Sequence, residues 1–156
     1  MTPGSLQSLA IAPALVLLPS RMSSREARVM LTAIALQESG LRHRHQVNGP
    51  AHGLWQFEEK GGTACVLSHR AASPYARPIC IQLLYDPEDL HGVYLGLEHN
   101  DVLACVFARL LLWTVPEPLP QTMEDGWQQY LIAWRPGRPH FKTWPHRWSQ
   151  AQEVVQ

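Results

Sequence analysis

Charge is scarce in this chain. Only 17% of its 156 residues are charged, against about 25% in an average soluble protein. Thirteen basic and thirteen acidic residues cancel. The sum leaves no long-range field to capture nucleic acid or an anionic membrane surface. Cysteine is scarce too. Cys65, Cys80 and Cys105 form an odd set without tight spacing, which excludes a disulfide framework. A Cys65–Cys80 bridge would close a loop, but plain thiols are the expectation. No apolar run is long enough to span a bilayer. The stretch from Leu9 to Leu18 is interrupted by Pro13 and falls short of the ~20 residues a spanning helix needs. No Lys or Arg precedes it, so it lacks the basic start of a signal peptide. No integral membrane segment is expected, and synthesis in a cytosol without an export signal is. Strand-like alternation and internal repeats are also missing, so the class is mainly α with at most a small β-hairpin.

What is present is apolar. Hydrophobic residues make up 46% of the chain, enough for one packed domain over 1–156. Residues 5–18 are predicted helical on either side of a kink at Pro13. Ser23 with Glu26 has the spacing of a capping box. A helix follows through Ala27, Leu31, Ile34 and Glu38, with Gly40 as its stop. Residues 41–62 read as a loop with short extended pieces. Thr63 is a candidate cap for a short helix to about Arg70, and 71–78 read as loop. Asp86 is the expected cap of a helix led by Pro87, Glu88 and Asp89. Asn100-Asp101 opens a helix to about Trp113, apolar nearly all round and therefore central. Pro116, Pro118 and Pro120 make a stiff connection. Thr122 with Asp125 caps a helix carrying Trp127, Tyr130, Leu131 and Trp134, which Arg135-Pro136-Gly137 ends. A last helix starts near Pro145, with Trp144 and Trp148 packing it onto the domain.

Glu38 is the residue that stands out. It shares a helix face with Ala27, Leu31 and Ile34. An ionised carboxylate on an apolar face is costly, and the negative end of the helix dipole opposes its charge again. Both raise a carboxyl pKa. An acid still protonated near neutrality suits acid-catalysed glycoside cleavage. On periodicity alone, a Glu38 that simply reaches solvent from the helix edge is the preferred reading.

The surrounding residues carry a resemblance. Gln37-Glu38-Ser39-Gly40-Leu41 is followed by Gly53-Leu54-Trp55-Gln56-Phe57, with Gly53 fifteen residues after Glu38. The chain here resembles the lysozyme-like lytic transglycosylases, whose Glu-Ser pair at a helix end precedes a Gly-Leu-Met-Gln motif. Trp55 stands where that family has Met. Ala133-Trp134-Arg135-Pro136-Gly137 is similar to the family's Ala-Tyr-Asn-x-Gly, with Arg135 at the Asn position; an alternative register puts Tyr130 near the acid. The resemblance implies a lysozyme-like fold around a buried central helix. It implies Glu38 as catalytic acid and base, and Ser39 as a residue that helps position it. Gly53, Leu54, Trp55 and Gln56 would line a glycan groove, Trp55 stacking on sugar. Glu58, Tyr130, Trp134 and Arg135 complete the implied substrate-binding set. The substrate would be the β-1,4 bond between N-acetylmuramic acid and N-acetylglucosamine in peptidoglycan, with no cofactor and no metal. The layout also looks like small phage-encoded members. That implies a virion, or a host cytoplasm with later release to the cell wall, and virion proteins as candidate partners.

Most glycosidases use two carboxylates. The Asp that animal lysozymes carry two residues before the corresponding Gly is Ala51 here, and no Asp or Glu lies between Glu38 and Glu58. Lytic transglycosylases resemble this pattern in working with one Glu and forming 1,6-anhydro products. Glu58, Glu59 and a distal Asp86 keep a hydrolytic muramidase open, and hydrolysis of chitin or chito-oligosaccharides is a further reading. A non-catalytic glycan-binding or virion protein is the reading from another class. His43, His45 and His52 cluster in sequence, but no third metal ligand lies at a convincing spacing. Arg42, Arg44 and Arg70 read as a solvated face.

Overall fold

A computed structural model describes residues 1–155. The elements are α1 (Pro3–Leu6), α2 (Ala12–Leu17), α3 (Arg25–Glu38), α4 (Ala64–Ser68), α5 (Ser73–Gln82), α6 (Leu90–His99), α7 (Asp101–Trp113), α8 (Met123–Trp134) and α9 (Trp144–Val154). Among the described residues there is no sheet. Two isolated antiparallel bridges, His45 with His52 and His52 with Phe57, are all the β structure. The mainly α class with a small hairpin is what the structure has. Among the described residues no helix is long and apolar enough to cross a membrane.

Helix α7 is the hub. Asn100 accepts from the Leu103 N–H as its N-cap, and every residue from Leu103 to Leu112 is buried. Helices α2, α3, α4, α5, α6 and α8 all pack against it, and each helix of the chain adds buried side chains to one core. A charge lies inside this hub. Buried Arg109 donates its Nε–H to the Met22 carbonyl at 2.8 Å, with its guanidinium 5.3 Å from the Trp113 ring centroid. Burial lowers its pKa to about 10, which leaves it charged at neutral pH.

Several local expectations are corrected. The helical reading on either side of Pro13 holds, and the detail it lacked is how the proline is accommodated. The chain relaxes into a π-turn at Gln7–Ile11, with the Ala12 N–H donating to the Gln7 carbonyl. The wider turn absorbs the residue that lacks an N–H. The cap of α3 is Ser24, which accepts from the Ala27 N–H, not Ser23. Thr63 caps nothing with its side chain; it is the last residue of a second π-turn, Glu59–Thr63, that runs into α4. Residues 71–78 are mostly helix. Pro74 sits in the first turn of α5, where its missing N–H costs nothing, and Pro78 is accommodated inside. Asp89, not Asp86, caps α6 by accepting from the Gly92 N–H at 2.9 Å. Asp86 holds the preceding turn through the Glu88 N–H. All three cysteines are free thiols, and burial pushes Cys80 up to about 11.

Helices α3 and α9 run against each other, and α8 closes on α9 through Gly126. A Cβ built at Gly126 would lie 2.4 Å from Cζ3 of Trp148, a buried indole with no free path to move. Gly126→Ala should therefore cost about 1–3 kcal/mol by overpacking, read as a lower urea midpoint at an unchanged slope. An unaltered midpoint would show that the α8–α9 seam is loose.

Candidate active site

Glu38 is the last residue of α3. The preceding helix is apolar on the buried side from Ala27 to Leu36, so the final turn brings a carboxyl to the rim of the core. Its partner comes from α8. The Tyr130 hydroxyl donates to Glu38 Oε1 at 2.5 Å. Trp144 stacks on the Tyr130 ring at 5.4 Å and 14°. Its own indole N–H donates to the Met123 carbonyl, so the phenol is held from behind. Neighbouring Gln37 fastens the α8–α9 connection, donating to the His140 carbonyl at 3.0 Å and accepting from the Thr143 hydroxyl at 2.9 Å.

Burial is the main influence on Glu38. It pushes the carboxyl up to about 7, against the opposing pull of the Tyr130 hydrogen bond. Tyr130 is raised well above the ordinary phenol range, by its own burial first and then by Glu38, so it stays a donor. The pair is a protonatable carboxyl with one oxygen tied down and the other free. No other carboxylate contributes to the Glu38 shift. Glu59 is engaged with His91 at 3.2 Å, and Glu58 is exposed. Two clefts, of about 550 and 260 Å³, lie away from Glu38, along the N-terminal end of α3 and the 115–121 connection. Glu38 itself is part-buried at the end of α3.

The remaining predicted site residues divide. Tyr130 reaches the acid, as in the alternative register. Trp134 is partly buried and donates its indole N–H to the Trp55 carbonyl at 2.9 Å. Arg135 is exposed and takes a left-handed conformation, φ 48°, at the end of α8. Gln56 is partly exposed at φ 53°, with its amide turned back onto the Gly53 carbonyl at 2.9 Å.

Trp55 is corrected. It is fully buried and donates its indole N–H to the Leu31 carbonyl at 2.9 Å. No face of it can stack on a ligand. Leu54 is equally buried, and Gly53 is pressed against the Leu97 carbonyl, where a Cβ would come to 2.4 Å. These three residues are packing. Ser39 does not touch the Glu38 carboxyl either. Its hydroxyl donates to the Ala35 carbonyl and accepts from the Leu41 N–H, closing the helix end.

Sequence reading missed two features here. Phe141 is an exposed aromatic, 5.3 Å from the Trp127 ring, in the segment that Gln37 holds. Only an unassigned aromatic in a loop marked it. Glu98 is the second. It approaches His45 and His52 from α6 at 3.1 and 3.2 Å, supplying the third ligand that local spacing lacks. His43 is exposed and outside this group. Burial comes first in lowering the His52 pKa. Of the three arginines read as solvated, Arg42 and Arg70 are exposed, while Arg44 forms a two-pronged pair with Asp101 at 2.9 and 2.7 Å.

Comparison with protein-family models, with curated proteins and with solved structures returns no match.

Two predictions follow from the carboxyl–phenol pair. The folded pKa of Glu38 is raised, so folding favours its protonated form. Its stability contribution is then whole below the unfolded value near 4.5 and declines as pH rises through about 7. Glu38→Gln keeps an acceptor for Tyr130 and never ionises. It should match the parent protein near pH 4.5 and exceed it by about 1–3 kcal/mol at pH 8, read by urea denaturation at both pH values. A gap that is equal at both would dissociate the effect from ionisation. Tyr130→Phe removes the bond that favours the carboxylate, so the Glu38 midpoint should move above about 7. Carboxyl-carbon NMR titration reads it directly, and a downward shift would contradict this origin.

Proposed function

We propose that this protein cleaves the glycan strands of peptidoglycan between N-acetylmuramic acid and N-acetylglucosamine, as a lytic transglycosylase. The observation that carries the reading is the Glu38 carboxyl, pushed up to about 7 by burial and oriented through one oxygen by Tyr130. A group poised there delivers a proton at neutral pH and takes one back in the next step. The Glu-Ser and Gly-Leu-x-Gln resemblance supplies the substrate class.

In the proposed reaction the free oxygen of protonated Glu38 donates to the glycosidic oxygen as the bond to the muramyl C1 breaks. The muramyl N-acetyl oxygen shares the positive charge at C1. Ionised Glu38 then removes the proton from the muramyl C6 hydroxyl, whose oxygen closes on C1. The product is a 1,6-anhydro sugar, and Glu38 ends as it began. One acid suffices because no water is activated. That no Asp or Glu lies between Glu38 and Glu58, and that Glu59 is engaged with His91, favours this course over a hydrolytic muramidase. Tyr130 acts as a positioning residue, tying one carboxyl oxygen so that the other faces the substrate.

The groove assignment changes with Trp55 buried. Exposed Phe141 replaces it as the candidate sugar platform, and partly exposed Trp134 and Gln56 and exposed Glu58 and Arg135 stay in the candidate set. Phage origin, a virion or cell-wall location and virion partners belong to the same proposal and rest on the resemblance.

The test is digestion of purified sacculi followed by mass spectrometry. The parent protein should release anhydromuropeptides, and Glu38→Gln should lose at least about a hundredfold in rate, the lower range for general acid catalysis. Reducing muropeptides would replace the transglycosylase with a muramidase. Intact sacculi with the parent protein, or full activity in Glu38→Gln, would overturn the assignment of Glu38 as the catalytic acid.

A further inference from the structure

The hairpin between Arg44 and Phe57 carries a second constellation that the reaction above does not use. His45 and His52 face each other across its antiparallel bridge. The flanking bonds are Gln46 N–H to the Ala51 carbonyl and Gly53 N–H to the Arg44 carbonyl. The two histidines are thus a non-hydrogen-bonded pair, the arrangement that brings cross-strand side chains closest. Their ring centroids are 4.5 Å apart. From α6, Glu98 places Oε2 at 3.1 Å from His45 Nδ1 and 3.2 Å from His52 Nδ1. Tyr94, one turn earlier on the same face of α6, stacks on the His52 ring at 4.0 Å and 15°. It also donates its hydroxyl to the Pro50 carbonyl. The His52 ring is therefore fixed before anything binds.

Hydrogen bonding inside the protein leaves this group incomplete. His45 reaches Glu98 with good geometry. The His52 side chain is only 6% exposed, and its Nδ1, though near the same oxygen, makes no hydrogen bond. A buried polar atom without a partner is uncommon, and this one points at a carboxylate and a second imidazole. One ligand atom from each of the three residues lies within 4.8 Å of the other two. Donors around a tetrahedral zinc ion at its usual bond lengths stand ~3.4 Å apart. The two nitrogen–oxygen separations are already close to that, and exposed His45 has the freedom to close the third.

We propose that His45, His52 and Glu98 bind one divalent transition-metal ion, zinc by the chemistry of two imidazoles and a carboxylate, with solvent at the remaining position. The ion ties the hairpin to α6. Backbone bonds alone hold His45 and His52 together across the strand pair, whereas α6 belongs to the packed core. The expected role is structural, ordering the 44–57 segment that also carries Trp55 and Gln56. Nothing in it depends on the glycan-cleaving reading.

The experiment is calorimetric titration of the metal-stripped full chain with zinc chloride, with thermal unfolding and hydrogen exchange alongside. One equivalent should bind, raise Tm and protect amides in 44–57. Cobalt(II) in place of zinc should give the visible spectrum of a four- or five-coordinate ion. Glu98→Gln and His45→Ala alter side chains that are partly exposed, so both variants should fold, and each should weaken zinc by at least about tenfold. His52→Ala removes a core ring and is read only if its circular dichroism matches the parent. Glu38→Gln should bind zinc like the parent protein, which separates this site from the catalytic proposal. No saturable binding, or equal affinity in Glu98→Gln and His45→Ala, would overturn the assignment.

Discussion

Two indole hydrogen bonds in series hold together the face of this protein that carries Glu38. The Trp55 N–H donates to the Leu31 carbonyl of α3, and the Trp134 N–H of α8 donates to the Trp55 carbonyl. Three segments far apart in sequence are thereby fixed at one place. The Leu31 carbonyl belongs to the helix ladder, and taking a second donor there costs α3 nothing. Buried indoles bring a large apolar area and one donor that must be satisfied. Each of these is satisfied by a backbone carbonyl, so each fixes a direction as well as a distance. With α3 and α8 in this register, Glu38 and Tyr130 meet. Were Trp55 a surface platform, α8 would have lost the acceptor that sets its approach to the acid.

The aromatic cluster behind the acid extends the same logic. Trp127, Tyr130, Trp134, Trp144 and Trp148 lie ring against ring at 5.2 to 6.3 Å. They are stiff side chains with few rotamers, and they make an apolar backing for one carboxyl. Burial is what disfavours the charge, with no cation in contact to relieve it. Tyr130 only moderates the effect. The acid owes its poise to what surrounds it rather than to a specific partner.

What was legible in the sequence was what local chemistry decides. The Asn100 and Thr122 caps, the buried α7 and the end of α3 at Glu38 follow from residues within one or two turns. Even there the register slipped. Ser23 and Ser24 are equivalent candidates until the backbone chooses, and Asp86 and Asp89 compete in the same way. Helix α5 was hidden because Pro74 and Pro78 read as breakers, although proline near a helix start is compatible with it. The sign of Trp55 was not legible at all. An aromatic in a Gly- and His-rich loop stacks on ligand or fills core according to which helices lie beneath it, and that is a long-range fact. Tyr130 could be placed near the acid only as one of two registers. Glu98 lies 53 residues from His45, and no local pattern joins them.

The same distinction bears on why the hairpin is shaped as it is. A loop rich in polar and small residues buries little, so its fold must come from a few directed contacts. Arg44 is clamped on Asp101 at the start of α7, Trp55 is seated on α3, and His52 is stacked on Tyr94 of α6. These anchors reach three different helices from a segment of fourteen residues or fewer. Gly53 takes φ +77° between them because the chain must turn within contact of the Leu97 carbonyl, where no Cβ fits. The glycine that resembled a groove motif is therefore accounted for by backbone approach alone. Its neighbours Leu54 and Trp55 are accounted for by the core. Of that motif only Gln56 remains partly exposed, and the case for chemistry at this face rests on Glu38 and Tyr130.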